Sequence, residues 1–125
     1  YVAAGSFIST AQELIQWNLC VHHGKLLNPK SRQLRKRKHA TRQHPIFSTI
    51  DYGYGLTFKA NEQNFQIGAL GFAPGFVSSN FYFPMHNISV VVLENVAANL
   101  NDFRQTFHYH TNIIKLSKEA LNLNQ

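Results

Sequence analysis

The 125 residues are 44% hydrophobic and 13% aromatic, enough apolar material for one domain with its own core. The single cysteine, Cys20, excludes an internal disulfide framework or a zinc site of several thiolates, and apolar runs such as Val90-Val91-Val92-Leu93 fall far short of the ~18 residues that span a bilayer. Twelve Lys and Arg against six Asp and Glu give a net charge of +6, an excess concentrated in one segment.

The chain begins at Tyr1 without an initiating Met or a basic leader, and is read as a processed or excised product. Ser9 followed by Gln12 reads as a capping box, and Ala11, Leu14, Ile15, Asn18, Leu19 and His22 recur at helical spacing, which predicts a helix over 10–23. Gly24 ends it, and Asn28-Pro29 offers an N-cap and a first-turn proline for a second helix over 29–37.

Lys30, Arg32, Arg35, Lys36, Arg37, Lys38 and Arg42 fall on and just after that helix, and no acidic residue occurs between Glu13 and Asp51. Such a field attracts phosphates or anionic lipid. Nucleic acid is not the expected partner, since no aromatic residue interleaves with the run to stack bases.

From Asp51 the pattern turns to β. Tyr52–Phe58 reads as an aromatic strand interrupted by glycine, Phe65–Gly68 as a short one, and Phe76–Phe83 and Ile88–Leu93 as a hairpin about Pro84-Met85-His86-Asn87. Asn101-Asp102 can cap a C-terminal helix carrying Phe103, Phe107, Ile114 and Leu121, continuous or broken once near 110–112. The order is α, α, β, β, β, β, α, an α+β arrangement in which helices flank an antiparallel sheet. One partial domain over 1–125 is expected, with a helical segment over 1–45, strands over 46–95 and the C-terminal helix over 96–125.

His22, His23, His108 and His110 do not share a face with acidic residues at ligand spacing, so no metal site is expected and they read as surface or core histidines. Cys20, beside apolar positions on the first helix, reads as a small hydrophobe rather than a nucleophile. Gly53, Gly55, Gly68, Gly71 and Gly75 mark bulges or close backbone approaches, and form neither a P-loop nor a dinucleotide fingerprint.

Four segments resemble, in order, the serine β-lactamase-like hydrolases of the class C β-lactamase and DD-peptidase type. These are Ala3–Leu14 with Trp17 and Gly24-Lys25-Leu26-Leu27; Tyr52-Gly53-Tyr54-Gly55-Leu56, similar to a "YGyGw" strand; Ala69-Leu70-Gly71-Phe72-Ala73-Pro74-Gly75-Phe76, similar to the "HTGg.pGf" box; and Val90–Asn95, similar to the strand that follows it. The resemblance implies the C-terminal portion of the β-lactamase/transpeptidase-like fold. In the parent it implies acyl transfer through a serine ester on a β-lactam, peptide or small ester, with no cofactor, and a periplasmic or secreted location for a bacterial member.

The family's S-x-x-K and Y-x-N motifs are absent from this chain, so the chain alone is expected to be inactive. At the box, Ala69 and Leu70 stand where the family has a basic and a hydroxyl residue, Gly71 still permits close approach, and the Phe72 N–H falls at the family's oxyanion donor. Slipping the alignment to Gln66-Ile67-Gly68 restores neither group. The expected partners are the remainder of such a fold or, in its absence, a second copy, because exposed strand edges and apolar helix faces recruit cover. The alternative reading is a non-catalytic module that uses the basic segment 30–42 for an acidic partner.

Overall fold

A reciprocal capping box at Thr10 starts helix α1 (Ala11–His22). The Glu13 backbone N–H donates to Thr10 Oγ1 at 3.2 Å and the Thr10 N–H donates to Glu13 Oε2 at 2.8 Å, satisfying donors that the first turn leaves free. The box thus sits one residue later than the Ser9–Gln12 pair, and the Ser9 hydroxyl donates to the same carboxylate at 3.1 Å. The protein is described by a computed structural model covering residues 5–59, 65–97 and 101–122.

Helix α2 (Pro29–Arg35) starts as the sequence predicts, with Asn28 Oδ1 accepting from the Ser31 N–H at 2.8 Å. It stops short of 37 because Lys36 already serves as the C-cap. The next residues correct the expectation of a helical segment over 1–45, since Ala40–His44 form strand β1. The cause is long-range: His39 N–H donates to the Tyr52 carbonyl at 2.8 Å, and buried Asp51 accepts from Thr41 Oγ1 at 2.7 Å and pairs with Lys38 at 3.1 Å. These bonds zip the segment onto a strand ten residues downstream.

Strands β2 (Ser48–Tyr52), β3 (Thr57–Lys59), β4 (Ile67–Ala73), β5 (Phe76–Phe83) and β6 (Ile88–Glu94) follow, and the six lie side by side in chain order, every pair antiparallel. The single strand expected over 52–58 is instead a hairpin, closed by the Gly53 N–H on the Leu56 carbonyl at 3.0 Å, with Gly55 at φ +65°. The short strand expected at 65–68 runs on to Ala73 and turns through Pro74-Gly75, where Gly75 at φ +83° after a proline is the type II pattern. The β5–β6 hairpin about 84–87 is as expected, with Phe83 opposite Ile88.

Alternation along β5 divides the core between two faces. Tyr82 joins Leu56, Phe58 and Ile67 on the face that meets α1, while Phe81 and Phe83 pack with Ile114 on the other. Each such aromatic burial contributes roughly 1.5–3 kcal/mol. On the first face the strands present polar groups, and α1 answers with buried Asn18, which donates to Asn80 Oδ1 at 2.6 Å and Ser89 Oγ at 3.1 Å. The helix is rotated accordingly: Asn18 and Val21 are buried, whereas Ile15 and Leu19 are exposed.

The C-terminal helix is two helices, α3 (Phe103–Thr106) and α4 (His108–Ala120), broken at Phe107 rather than near 110–112. Asp102 caps α3 as expected, accepting from the Arg104 N–H at 2.9 Å. Among the described residues no helix is long and apolar enough to cross a membrane.

Candidate functional site

Ala69, Leu70, Gly71 and Phe72 all lie on β4, opposite Asn80, Ser79, Ser78 and Val77 of β5. On its other side β4 is paired only at Ile67 and Gly68, because β3 is three residues long. From Ala69 to Ala73 that edge has no strand beside it among the described residues, so the backbone groups directed there are open to a partner.

Facing the open edge is the 53–56 turn, and between them lies a cleft of about 350 Å³ lined by Tyr52, Leu56, Thr57, Ala69, Leu70 and Phe81 among others. Among the described residues no Lys, Arg, Asp or Glu lines it. His44, at its margin, is held below the ordinary histidine range by burial and then by the charge of Arg42.

The box supplies a methyl group at Ala69 and a half-buried isobutyl group at Leu70, so it offers neither cation nor hydroxyl. A Cβ on Gly71 would meet Ser78 Oγ, so any larger residue there requires that hydroxyl to turn aside. The Phe72 ring stands edge-on to Phe103 of α3, centroids 5.4 Å apart. What β4 presents is main-chain hydrogen bonding beside an apolar cleft.

The basic run does not form one surface. Lys30, Arg37 and Arg42 are exposed, and Lys38 is engaged by Asp51. Arg32, Arg35 and Lys36 are half-buried and converge on a second cleft, of about 300 Å³, between α1, α2 and Leu56. Burial lowers the pKa of Arg35 and of Lys36, the latter also through the charge of Arg32. The separation follows from α2 ending at Arg35: beyond it the chain is strand, and the charges no longer share a helical face.

A third cluster was not legible in the sequence. His110 is fully buried, with Nδ1 2.9 Å from Ser79 Oγ and Nε2 3.2 Å from Glu94 Oε2. Burial lowers the His110 pKa, while the hydrogen bond and charge of Glu94 oppose that shift. The order hydroxyl, imidazole, carboxylate is that of a nucleophile, base and orienting acid. Ser79, however, has no exposed surface and lines none of the clefts described, so a substrate cannot reach it. The chemistry left to the cluster is to tie α4 to β5 and β6. Its partners lie 31 and 16 residues from His110, and the only local signal is the shared i, i+4 face with Ile114.

The remaining histidines do not converge: His22 and His23 both meet Tyr82, and His108 bonds Asn112 at 2.9 Å. Among the described residues no three His, Cys, Asp or Glu side chains gather as metal ligands. Cys20 is exposed, contrary to the small-hydrophobe reading, because α1 turns Asn18 and Val21 inward instead. Neither a known protein family nor a curated protein matches the chain in sequence.

Proposed function

We propose that this chain forms the C-terminal part of a β-lactamase-like serine hydrolase fold, in which β4 is the substrate-binding strand and the acylating residues are missing. The parent reaction is acyl transfer on a β-lactam, peptide or ester, and this chain by itself binds an extended acyl-peptide backbone without turning it over. The observation that carries this reading is the open edge of β4 at the Ala69–Phe72 box, bordered by the 53–56 turn and an apolar cleft. An extended substrate adds there as a further strand, its main chain bonded to β4 and its side chains in the cleft. Acylation needs a serine with an adjacent proton acceptor, and Ser79, which is bonded to His110, is sealed in the core.

The test pairs the chain with the variant Ala69→His/Leu70→Thr, which returns a basic and a hydroxyl side chain to the box. NMR titration with a dipeptide ending in a free carboxylate is expected to perturb the β4 amides of both proteins, and more tightly in the variant. Incubation with a chromogenic β-lactam is expected to leave both proteins unmodified by mass spectrometry. A covalent acyl adduct on the unaltered chain would overturn the non-catalytic assignment. Absence of β4 shifts in both proteins would overturn the substrate-strand assignment.

A further inference from the structure

We propose that the cleft between α1, α2 and Leu56 is a binding site for a small phosphate monoester, held by Arg32, Arg35 and Lys36. The inference does not rest on the reading of β4, because the cleft shares only Leu56 with the one beside that strand, and it selects three of the seven basic residues.

Charge and position make the case. Three cations border one cleft of about 300 Å³, and among the described residues no carboxylate does. Asp51, the acidic residue nearest in sequence, is occupied by Thr41 and Lys38 and does not line it. Like charges brought together and partly removed from water favour an anion that neutralises them.

The two guanidinium groups are already held in place. Arg32 Nη1 donates to the carbonyls of His22 and Gly24 at 3.3 and 3.5 Å, at the end of α1, which leaves its Nε and Nη2 protons for a ligand. Arg35 Nε donates to the Tyr54 carbonyl at 3.3 Å and keeps both Nη groups. The Lys36 ammonium has no hydrogen-bond or ion-pair partner among the described residues. Planar forks fixed by backbone carbonyls plus one free ammonium match the several acceptor oxygens and double charge of a phosphate monoester.

The rest of the wall is apolar or neutral. Val21, Pro29 and Leu56 offer an organic substituent a surface, and His22, whose pKa is pushed down to about 4 chiefly by burial, stands there as an uncharged ring. The volume suits one phosphate with a compact substituent, not a polymer lying across the surface.

Phenyl phosphate is the probe, compared with inorganic phosphate and benzoate by NMR and calorimetry at physiological salt. Saturable one-to-one binding of phenyl phosphate is expected, tighter than either comparison ligand, with shifts at Val21, Lys36 and Leu56. Lys36→Gln, which breaks no hydrogen bond or ion pair among the described residues, is expected to weaken it by about tenfold, equivalent to ~1.4 kcal/mol. Arg37→Gln, an equal charge change at the exposed neighbour, is expected to leave it within about twofold, or ~0.4 kcal/mol. Equal losses in the two variants would reduce the site to diffuse electrostatics and overturn the proposal, as would the absence of saturation with wild-type protein.

Discussion

The imidazole of His22 lies flat on the ring of Tyr82, centroids 4.6 Å apart and planes within 6° of parallel. The stack joins the last turn of α1 to the C-terminal end of β5 and takes His22 out of water on the side where Arg35 and Lys36 stand. Its pKa falls from 6.5 to about 4, first through burial and then through those two charges and His23. As pH drops through 6.5 the unfolded chain takes up a proton that the folded chain refuses until about pH 4. The stability His22 contributes is therefore complete above pH 6.5 and lost between 6.5 and 4. His44 and His110, whose pKa values are also lowered, act in the same direction. Thermal melts should show the midpoint falling from pH 7 to pH 5, and His22→Phe, which keeps an aromatic stack without the titration, should flatten that slope. A wild-type midpoint that rises on acidification would contradict the assignment.

Gly53 is where α2 docks. The Tyr54 N–H donates to the Arg35 carbonyl at 3.0 Å, and a Cβ on Gly53 would run into that same oxygen. Because the obstacle is backbone, relief requires α2 to move. Gly53→Ala is expected to destabilise the fold by about 1–3 kcal/mol in urea denaturation. Amide exchange should quicken at Tyr54 and across α2 but not in β5. Gly55→Ala meets no atom within 4 Å and carries only the strain of a positive φ, so its cost should be smaller.

The Ser79–His110–Glu94 chain is a structural tie, and its energetics should show it. Ser79→Ala leaves His110 Nδ1 buried without its partner, which costs about 1–3 kcal/mol. Adding His110→Leu to Ser79→Ala should cost less than the sum of the two single changes, because the unpaired polar atom is gone. Strict additivity in a double-mutant cycle would argue that the 2.9 Å contact carries no coupling.

A second copy is the expected cover for the β6 side of the molecule. β6 is an edge strand whose sequence runs Ile88-Ser89-Val90-Val91-Val92-Leu93, with no lysine or proline to discourage pairing. Beside it, α4 exposes Tyr109, Ile113 and Leu116 on one stripe. An antiparallel strand edge is self-complementary about a two-fold axis, which favours a symmetric dimer over an open chain. Light scattering should show mass rising with concentration in the micromolar range. Ile113→Glu/Leu116→Glu should shift the distribution to monomer without loss of helical signal. Monomer at all concentrations in the parent chain would count against it.

Much of the local structure was legible. The Asn28-Pro29 start of α2, the Asp102 cap of α3 and the hairpin about 84–87 are written in residues a few positions apart, whose caps and turns form wherever the chain goes. The apolar alternation of β5 and the β-branched run of β6 likewise declare their strands. β1 carries no local signal because its residues are mostly exposed and polar, and Asp51 rather than any periodicity recruits them. The segment 52–58 reads as one strand in sequence because glycines that look like interruptions of a strand are here the turn between two, one of them needed under the Arg35 carbonyl.

By itself, then, the sequence determined an α+β chain with an antiparallel sheet, a basic segment and no thiolate cluster, since composition and short-range patterning are properties of neighbouring residues. The tertiary structure alone decided which basic residues share a cleft, that β4 has an open edge past Gly68, and that His110 meets Ser79 and Glu94. Each of these depends on where a helix stops or a strand runs out, and so on contacts between residues far apart in the chain. Such contacts become favourable only once the sheet has assembled around them.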